Sequence, residues 1–389
     1  MKTSNGVKIT YIANIRFPTE RAHGIQIAKT CEAFAAHGAE VELVVTDRAT
    51  GIAEDTQTYY RLRRVFPIHR VRVPDIVHWG RAGFLIESII FALGARRYAG
   101  KGVVYCRDEW VLALLIILGV RTAVWESHTG AWNSAARFVA RRARALIPIT
   151  RGLFDFYAGH GIPKAKMLVA PDGISPEDFA GPAPKEDVRK RLGLPAHAKI
   201  AMYIGGQGGW KGADTLYAAA EKLPKDVIVA VIGGKKEDVP MLAEGHPRVR
   251  FLGPRPYGEL ADNQAAADVL VLPNTGASEI SLRFTSPLKL FTYMASGVPI
   301  VTSDLPSIRE VVDEKSAFLV PADNPDALAE GIMQALENTE DATRRAGAAR
   351  VLLPGYTWAK RAERILAFLE APSFAKASDG QADVIGYLS

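Results

Sequence analysis

The feature that most constrains the fold is an alternation of strand-like and helix-like segments that runs through the chain twice. In the first half, VKITYIAN (residues 7–14) reads as a strand, HGIQIAKTCEAFAAHG as a helix and EVELVVT as a second strand. A strand, a helix and a parallel strand form one βαβ unit. Segments 102–108, 122–127, 145–150 and 166–173 predict further strands. We therefore expect an open, mostly parallel α/β sheet.

The same alternation starts again after residue 197. Strands are predicted at 198–206, 226–234, 248–254, 268–273, 299–304 and 316–321, with helices between several of them. The segment 175–197 is rich in proline and polar residues, which is typical of a linker. We expect Rossmann-like domains at 1–182 and 183–355, a helix at 356–370 that returns to the first domain, and a frayed tail at 371–389.

Length and composition fit a two-domain α/β protein. The chain has 389 residues, of which 48% are hydrophobic and 23% charged. Its two cysteines, Cys31 and Cys106, make no framework and match no metal spacing, so a reducing cytoplasm is expected. No signal peptide is visible. The apolar runs 84–95 and 110–120 are shorter than the roughly 20 residues of a membrane span, and we interpret them as buried helices.

The charge is uneven along the chain. The net charge is +6, with +8 in residues 1–184 and −2 in the remainder. In ARFVARRARALI (136–147), Arg137, Arg141 and Arg144 recur at helical spacing. Two interpretations stay open: a peripheral contact with an anionic membrane, or the solvated face of a core helix. Aromatic and basic residues do not alternate, so we expect no nucleic acid partner.

The loop GQGGWKG (206–212) follows a predicted strand and precedes a helix. Its glycines allow backbone N–H groups to approach an anion, the helix N-terminus adds a favourable dipole, and Lys211 adds a full charge. The spacing fits neither a Walker loop nor the dinucleotide glycine pattern. The loop predicts a phosphate site, with a tight turn and a solvated lysine as the alternative.

A second anion site is predicted at SPLKLFTYMASG (286–297). Ser286 is a suitable N-cap, Pro287 fits the first helical position, and Lys289 lies in the first turn. A lysine there opposes the helix dipole, so an anion would compensate it. One capped helix with an exposed lysine is ordinary. Two lysine sites at strand ends of one domain instead indicate a nucleoside diphosphate.

The first domain offers fewer chemical groups. Gly24 opens a predicted helix and so can approach a ligand, while His128 follows the strand TAVWES at its carboxyl end. A histidine there can hydrogen-bond a sugar hydroxyl, although a structural role is equally open. Glu126 and Asp108 also lie at strand ends but make no convincing acid and base pair. No cluster has metal-ligand spacing, so no metal site is predicted.

Several motifs together resemble the family 4 glycosyltransferases of GT-B fold. They are YIGGQGGWKGADTL, VRFLGPRPYGEL, AAADVLVLPN and TSPLKLFTYMASGVPIVTSD in the second half, and RFPTERAHGIQIAK, VYCRD, WESH and PDGISPEDF in the first. The resemblance covers about residues 8–370. It implies two Rossmann-like domains facing a cleft and a C-terminal helix crossing back.

The resemblance also implies an activity. It is a retaining, metal-independent hexosyltransferase reaction (EC 2.4), without a cofactor, from a nucleotide diphosphate sugar to a saccharide or lipid-linked acceptor. Such enzymes build cell-envelope polysaccharides in the cytoplasm, either free or peripheral to the inner face of the membrane. By position, His128 is the implied catalytic residue. The implied donor-binding residues are Gly24, Gly206, Lys211, Leu252, Ser286, Leu288, Lys289 and Thr292.

Three positions depart from the family pattern. Gly206 stands where the family commonly has an arginine, and Phe284 and Thr292 stand where it has two glutamates. The loss of a charged hydrogen bond costs on the order of 1.5 to 3 kcal/mol, which lowers donor affinity without abolishing a reaction. The alternative is therefore a catalytically impaired nucleotide-binding or scaffold protein. An epimerase of related fold is disfavoured because no added acid and base pair is found. The donor base, the sugar, the acceptor and the oligomeric state stay open.

Overall fold

The computed structural model describes residues 6–100 and 102–371. The predicted frayed tail lies outside the described residues beyond Ala371. Contacts divide the chain into two compact units. The first comprises the described parts of Met1–Ile149, Leu153–Pro171 and Trp358–Ser389, and the second comprises Thr150–Gly152 and Asp172–Thr357. The domain boundaries proposed from the sequence stay predictions.

The first unit is built on a parallel sheet. Its six described strands are β1 Lys8–Ile12, β2 Glu40–Thr46, β3 Ile68–Val71, β4 Val103–Cys106, β5 Ala123–Ser127 and β6 Ala145–Pro148. They lie in the order β3-β2-β1-β4-β5-β6, and every pair is parallel. The order reverses direction between β1 and β4, which is where open α/β sheets bind ligands, beyond the carboxyl ends of the strands.

The second unit repeats this architecture. Its six described strands are β7 Lys199–Ile204, β8 Val227–Ile232, β9 Val249–Phe251, β10 Val269–Leu272, β11 Ile300–Ser303 and β12 Phe318–Val320. The order β12-β11-β10-β7-β8-β9 is the same topology, and all pairs are again parallel. The switch point of this sheet lies between β7 and β10. The fold is thus two Rossmann-like, doubly wound α/β units, as expected for GT-B.

Helices connect the strands and cover both sheets. The described α-helices are α1 Ala22–Ala36, α2 Thr56–Tyr59, α3 Arg81–Ala95, α4 Glu109–Ile117, α5 Ser134–Arg142, α6 Arg151–Gly159, α7 Lys185–Arg191, α8 Ala213–Ala220, α9 Val239–Gly245, α10 Leu260–Ala265, α11 Leu288–Ser296, α12 Pro306–Arg309, α13 Pro325–Glu337, α14 Thr339–Leu352 and α15 Trp358–Glu370. None of the helices in the described part of the chain has the length and apolarity needed to cross a membrane.

The cores lie on both faces of each sheet, which explains why the strands read as continuous apolar runs. In β7, Ile200 and Met202 belong to one buried cluster of the second unit, whereas Ala201 and Tyr203 belong to another on the opposite face. Successive side chains of a strand point to opposite faces, so a strand covered on both sides has no polar alternation.

The C-terminal helix belongs to the first unit. Helix α15 packs against α1, and its buried positions include Trp358, Ile365 and Leu366. Arg361 is also buried on this face, with 4% of its surface exposed. The chain therefore returns to its first unit after completing the second.

One strand assigned from the sequence is wrong, and one strand was missed. Segment 166–173 is not a regular strand: Met167 bridges Leu146 and the N–H groups of Leu168 and Ala170 donate to β6, but the carbonyl groups of Ala170 and Pro171 accept hydrogen bonds from Arg361 Nε. Strand β3, at the sheet edge, was not predicted. Its sequence IHRV has only two apolar residues, which is too weak a pattern to indicate a strand.

Two interpretations of apolar and basic runs can be refined. In the basic stretch 136–147, the helix ends at Arg142 and a strand begins at Ala145, so Arg144 lies outside the helix, and the apolar residues Ala136 and Val139 are fully buried. Arg137 and Arg141 lie on the exposed side of this helix, and contact with a membrane stays a prediction. The run 84–95 forms α3, which is not fully buried as expected: several of its large apolar side chains are exposed.

Candidate functional site

A pair of lysines meets two consecutive glycines at the switch point of the second sheet. Gly205 and Gly206 directly follow β7. A Cβ atom on Gly205 would lie 2.6 Å from Cε of Lys289, and one on Gly206 would lie 2.5 Å from Nζ of Lys211. Gly205 also has a φ of +153°. The two glycines therefore leave the space that the two lysines occupy, and we call Lys211 and Lys289 the lysine pair.

The lysine pair is short of negative charge. Lys289 Nζ donates a hydrogen bond to Tyr203 Oη at 2.7 Å and lies 4.4 Å from the centre of that ring. Burial, and then the charge of Lys211, lower the pKa of Lys289 to about 7, and burial also lowers the pKa of Lys211. Within the described residues, neither ammonium has a carboxylate partner. Two adjacent cations in a partly desolvated site favour an anion that carries at least two charges.

The start of helix α11 differs from the sequence prediction. The helix begins at Leu288, so Pro287 occupies the N-cap position and Ser286 precedes it. Ser286 Oγ accepts a hydrogen bond from the backbone N–H of Asp172 at 3.0 Å, and it does not cap the helix. The proposed N-cap is therefore wrong. Leu288 is half-buried at the N-terminus, and Lys289 lies in the first turn.

Two of the three positions that depart from the family pattern, Thr292 and Phe284, have their side chains engaged within this unit. Thr292 Oγ1 donates to the carbonyl oxygen of Lys289 at 2.8 Å and accepts from Gln264 Nε2 at 2.9 Å. Phe284 ends a π-helical turn, Ile280–Phe284, and is 7% exposed. The single proton of the Thr292 hydroxyl is already used, so this side chain can offer a ligand at most one further acceptor lone pair.

Two more residues lie beyond carboxyl ends of strands in this unit. Leu252 follows β9, is half-buried, and donates its N–H to the Val231 carbonyl at 2.8 Å. Asn274 follows β10 with 1% of its surface exposed, and neither amide atom has a hydrogen-bond partner within the described chain. A buried, unpaired amide is costly, so Asn274 is a candidate ligand-binding residue that sequence reasoning missed. Its position at a strand end beside the switch point was the available signal.

Glu126 is the centre of a buried polar network in the first unit. The carboxylate is fully buried and receives hydrogen bonds from four side chains: Gln26 Nε2 at 2.6 Å, Tyr105 Oη, His128 Nε2 at 2.7 Å and Arg361 Nη2 at 2.6 Å. Burial alone would raise the pKa of Glu126. Arg361 and the hydrogen bonds from His128 and Tyr105 outweigh burial and hold that pKa well below its usual range. Glu126 is therefore an anion at neutral pH.

This network fixes the protonation of His128. Burial, and next the positive charge of Arg107, lower the pKa of His128 to about 4, although Glu126 acts in the opposite direction. An ionised carboxylate can only accept, so the neutral imidazole must carry its proton on Nε2, facing Glu126. Its Nδ1 atom is then a hydrogen-bond acceptor. His128 can receive a hydrogen bond from a hydroxyl group but cannot supply a proton at neutral pH.

Glu126 and Asp108, for which the sequence shows no convincing acid and base pair, have separate roles in the structure. Glu126 pairs directly with His128, two residues away on the chain. Asp108 instead caps α4, accepting from the backbone N–H groups of Trp110 and Val111 at 2.9 and 3.0 Å, and burial raises its pKa to about 6.

Gly24 has a structural explanation within the first unit. Helix α1 begins at Ala22, so Gly24 lies in its first turn and does not open it. A Cβ atom on Gly24 would lie 2.3 Å from Tyr60 Oη and 2.6 Å from Thr19 Cγ2. This packing alone requires glycine, and contact with a donor stays a prediction.

A polar pocket lies at the switch point of the first sheet. It has a volume of about 320 Å³ and is lined by Ala13, Asn14, Ile15, His23, Phe84, Arg107, Asp108, Glu109 and Trp110. Arg107 Nη1 donates to Gln26 Oε1 at 3.1 Å, and burial lowers the pKa of His23 to about 4. Asn14 Oδ1 is buried and has no partner among the described residues. Donors, acceptors and an indole in one cavity suit a polyhydroxylated molecule.

Known proteins share this sequence pattern and fold. Residues 198–338 match the family described as glycosyl transferases group 1. The chain is 30% identical over 230 residues to D-inositol 3-phosphate glycosyltransferase of Corynebacterium urealyticum, covering 54% of this chain and 53% of that protein. It is 24% identical over 321 residues to the putative teichuronic acid biosynthesis glycosyltransferase TuaC of Bacillus subtilis, covering 76% and 77%.

Solved structures agree on the fold. The crystal structure of Anabaena HepE in complex with UDP and glucose superposes with a TM-score of 0.74 at 17% identity, covering 94% of this chain and 100% of that one. The alignment with the Corynebacterium relative spans about half of that protein's length. The sequence match shows that residues 198–338 belong to the glycosyl transferases group 1, and the paired Rossmann-like sheets and the solved structures show that the chain has the GT-B fold.

Proposed function

We propose that this protein transfers a sugar from a nucleotide diphosphate sugar to a saccharide or lipid-linked acceptor, with retention and without a metal ion. The observation that carries the proposal is the lysine pair, which meets Gly205 and Gly206 at a sheet switch point and has no carboxylate partner within the described residues. A diphosphate supplies the two negative charges that this site favours. The relatives named above are glycosyltransferases, and HepE binds UDP, which supports the same assignment.

The lysine pair would also supply the chemistry usually provided by a metal. Negative charge accumulates on the departing diphosphate as the glycosidic bond breaks, and fixed cations in a partly dry site stabilise that charge. We propose that Gly206, Ser286 and Leu288 border this site, and that Leu252 and Asn274 flank the rest of the nucleotide. Thr292 would offer only a single acceptor to the ribose or sugar.

The first unit would hold the acceptor. We propose that the sugar acceptor occupies the pocket around Asn14 and Arg107, and that His128 Nδ1 accepts a hydrogen bond from a hydroxyl of the reacting sugar. Gly24 would approach the donor through its backbone. We propose a role in cell-envelope polysaccharide assembly, which the similarity to TuaC supports. This role would be carried out in the cytoplasm or at the inner face of the membrane.

Calorimetry with UDP-, GDP- and ADP-sugars tests the donor site. At least one should bind, and Lys289→Met or Lys211→Met should weaken binding by about tenfold or more each, since a charged hydrogen bond contributes roughly 1.5 to 3 kcal/mol. Lys225→Met is the matched control because Lys225 is an exposed lysine of the same unit. Absence of binding by every nucleotide sugar would refute the proposal.

Turnover tests the reaction itself. Transfer or hydrolysis should proceed in excess EDTA, and NMR of the first product should show the anomeric configuration of the donor sugar. A product of inverted configuration would contradict retention, and activity that EDTA abolishes would contradict metal independence.

A binding protein without catalysis is the second candidate. It is favoured by Phe284, which is buried, and by Thr292, whose hydroxyl bonds to Gln264 and Lys289; neither supplies a carboxylate to the donor. This candidate predicts nucleotide binding that Lys289→Met removes, together with no turnover for any donor and acceptor pair.

A further inference from the structure

Helix α3 turns an apolar stripe to solvent. Leu85, Ile86, Ile89 and Leu93 recur at helical spacing and are 38 to 57% exposed. The opposite side of the helix is buried and is also largely apolar, with Phe91, Ala92 and Ala95 beside Glu87 and Ser88. A surface helix of a globular protein normally has polar and charged residues on the side that faces away from the core. The exposed stripe is therefore a feature that the fold alone does not explain.

Neighbouring elements extend the stripe. A Cβ atom on Gly83 would lie 1.9 Å from the carbonyl oxygen of Ile76, so the turn Val77–Trp79 packs closely on α3, and Trp79 is 63% exposed beside it. Helix α4 packs along α3, and Arg96 Nε donates to the Leu118 carbonyl at 3.0 Å.

This contact brings the exposed end of α4 to the stripe. Ile117 is 69% exposed there and Leu118 is 37% exposed. We call the exposed residues Trp79, Leu85, Ile86, Ile89, Leu93, Ile117 and Leu118 the apolar face.

The surroundings of the apolar face are positively charged. From residue 76 to residue 107 the only acidic residue in the sequence is Glu87, which is fully buried and lies 3.3 Å from Arg48 Nη1, while Asp75, Asp108 and Glu109 stand directly outside this segment. Arg81, Arg97 and Arg121 are exposed at the ends of α3 and α4. Helix α5, on the other flank of α4, adds further exposed arginines.

We propose that the apolar face is a membrane-docking surface that lies on an anionic lipid bilayer, with α3 in the plane of the interface. Leu, Ile and Trp side chains would enter the boundary between headgroups and acyl chains, and the arginines would contact lipid phosphates. A second copy of this chain fits less well. A two-fold interface would bring two identical arginine rims together without an acidic counterpart in this segment.

The apolar face adjoins the candidate acceptor pocket. Phe84 belongs to the first turn of α3, is 37% exposed, and also lines the pocket that contains Arg107. A bilayer on this face would place lipid headgroups beside the pocket mouth. The acceptor is then a lipid-linked molecule, and this step, unlike the docking itself, rests on the proposed function.

Co-sedimentation with vesicles tests the docking. The protein should bind phosphatidylglycerol vesicles more strongly than phosphatidylcholine vesicles, and high salt should weaken that binding. Ile89→Glu combined with Leu93→Glu should reduce binding on the order of tenfold or more, because two apolar anchors are lost. Val351→Glu is the matched control, since Val351 is a 78% exposed apolar residue on helix α14 of the other unit.

Trp79 provides an independent reporter of depth. Brominated phosphatidylglycerol should quench the protein's fluorescence, and Trp79→Phe should remove most of that quenching without removing vesicle binding. Equal vesicle binding by the double variant and by the wild type would overturn the proposal. A second result would also overturn it: the wild type is a dimer, the double variant is a monomer, and neither protein binds vesicles.

The acceptor step has its own readout. In the double variant, donor binding measured without vesicles should be unchanged, whereas transfer to an acceptor embedded in vesicles should fall relative to transfer to a water-soluble saccharide. Equal loss with both acceptors would contradict the lipid-linked acceptor. Absence of donor binding in the wild type would instead refute the proposed function and leave the docking result intact.

Discussion

Lys289 makes donor binding depend on pH in a defined direction. Its pKa of about 7 in the free protein lies below the usual lysine value of roughly 10.4, because burial and Lys211 disfavour the charged form. A bound diphosphate would favour the charged form and raise that pKa. We therefore expect full affinity for a nucleotide sugar below about pH 7 and a fall of up to about tenfold per pH unit above it.

Calorimetry of one nucleotide sugar between pH 6 and 9 measures this effect. A nucleotide sugar carries a diphosphate diester that does not itself titrate in this range, so uptake of up to one proton near pH 8 would report Lys289. In Lys289→Met the pH dependence should vanish. Affinity that rises with pH would contradict the assignment.

The same shift has a consequence for folding. A lysine whose pKa is lowered in the folded state binds fewer protons there than in the unfolded chain, so it destabilises the fold as pH falls from about 10 toward 7. A bound anion would stabilise the charged lysine and offset this effect. Lys289 is therefore better explained by ligand binding than by a contribution to the stability of the fold.

Glu126→Gln tests the protonation state of His128. The amide can donate to the imidazole, so the proton would move from Nε2 to Nδ1, and the acceptor that we assign to the sugar would be lost. Turnover should fall by about tenfold or more. The 15N chemical shifts of the His128 ring should exchange their assignments, which a merely structural role would not cause.

The same substitution should also reduce stability. It leaves the buried guanidinium of Arg361 without an anion, which costs on the order of 3 to 5 kcal/mol. Glu40→Gln is the control, because Glu40 is 72% exposed in its pair with Lys8 and should change stability by less than about 1 kcal/mol. Unchanged His128 shifts in Glu126→Gln would contradict the assigned tautomer.

Sequence reasoning identifies residues whose role follows from their type and local position. Lys211, Lys289 and His128 were found because each is a chemically distinctive residue at a strand or helix end. Arg361 could not be found in this way, because it meets Glu126 across 235 positions of the chain. The bonds of Thr292 to Gln264 and Lys289 were hidden for the same reason: only folding brings such groups together.

Two helical glycines should respond oppositely to alanine. Gly297 ends α11 with a φ of +73°, and a Cβ atom there would lie 3.3 Å from Arg350 Cδ, so Gly297→Ala should lower the free energy of unfolding by about 1 kcal/mol. Gly347 lies inside α14, where a Cβ atom would meet nothing within 4 Å. Gly347→Ala should raise the free energy of unfolding by about 0.5 to 1 kcal/mol. Urea denaturation of both variants measures the two changes in the free energy of unfolding. Changes of the same sign would contradict the opposite roles assigned to the two glycines.

Element type was easier to predict than element orientation. Eleven of the strand segments appear as parallel strands because both their faces are buried and their apolar runs are uninterrupted. Helix α3 was recognised as apolar, but its composition did not reveal that one apolar side faces solvent. Hydrophobic periodicity indicates orientation only when the two sides of a helix differ in polarity. Because α3 has apolar residues on both sides, only the structure shows which side faces solvent.

At the scale of the molecule, the segment that forms the second unit is inserted in the chain between two parts of the first unit. The first unit is completed by α15, which follows the whole second unit in the chain and packs on α1. Both units have the same strand order, and each presents its polar residues at its own switch point. This arrangement makes the first unit depend on a segment of about 13 residues at the end of the described chain.

A chain that ends at Thr357 would test that dependence. It lacks α15, so the partners of Ile365 and Leu366 become exposed and the buried Glu126 loses Arg361. We expect hydrogen exchange to accelerate throughout β1, β4 and β5, because an unpaired buried charge adds on the order of 3 to 5 kcal/mol to the lost apolar contacts. The second unit keeps all its strands and the lysine pair, so its exchange and its binding of a nucleotide sugar should persist. A chain that ends at Ala371 retains α15 and is the matched control. Slow exchange in β5 of the shorter chain, or loss of nucleotide binding with the first unit intact, would show that α15 supports a different part of the molecule.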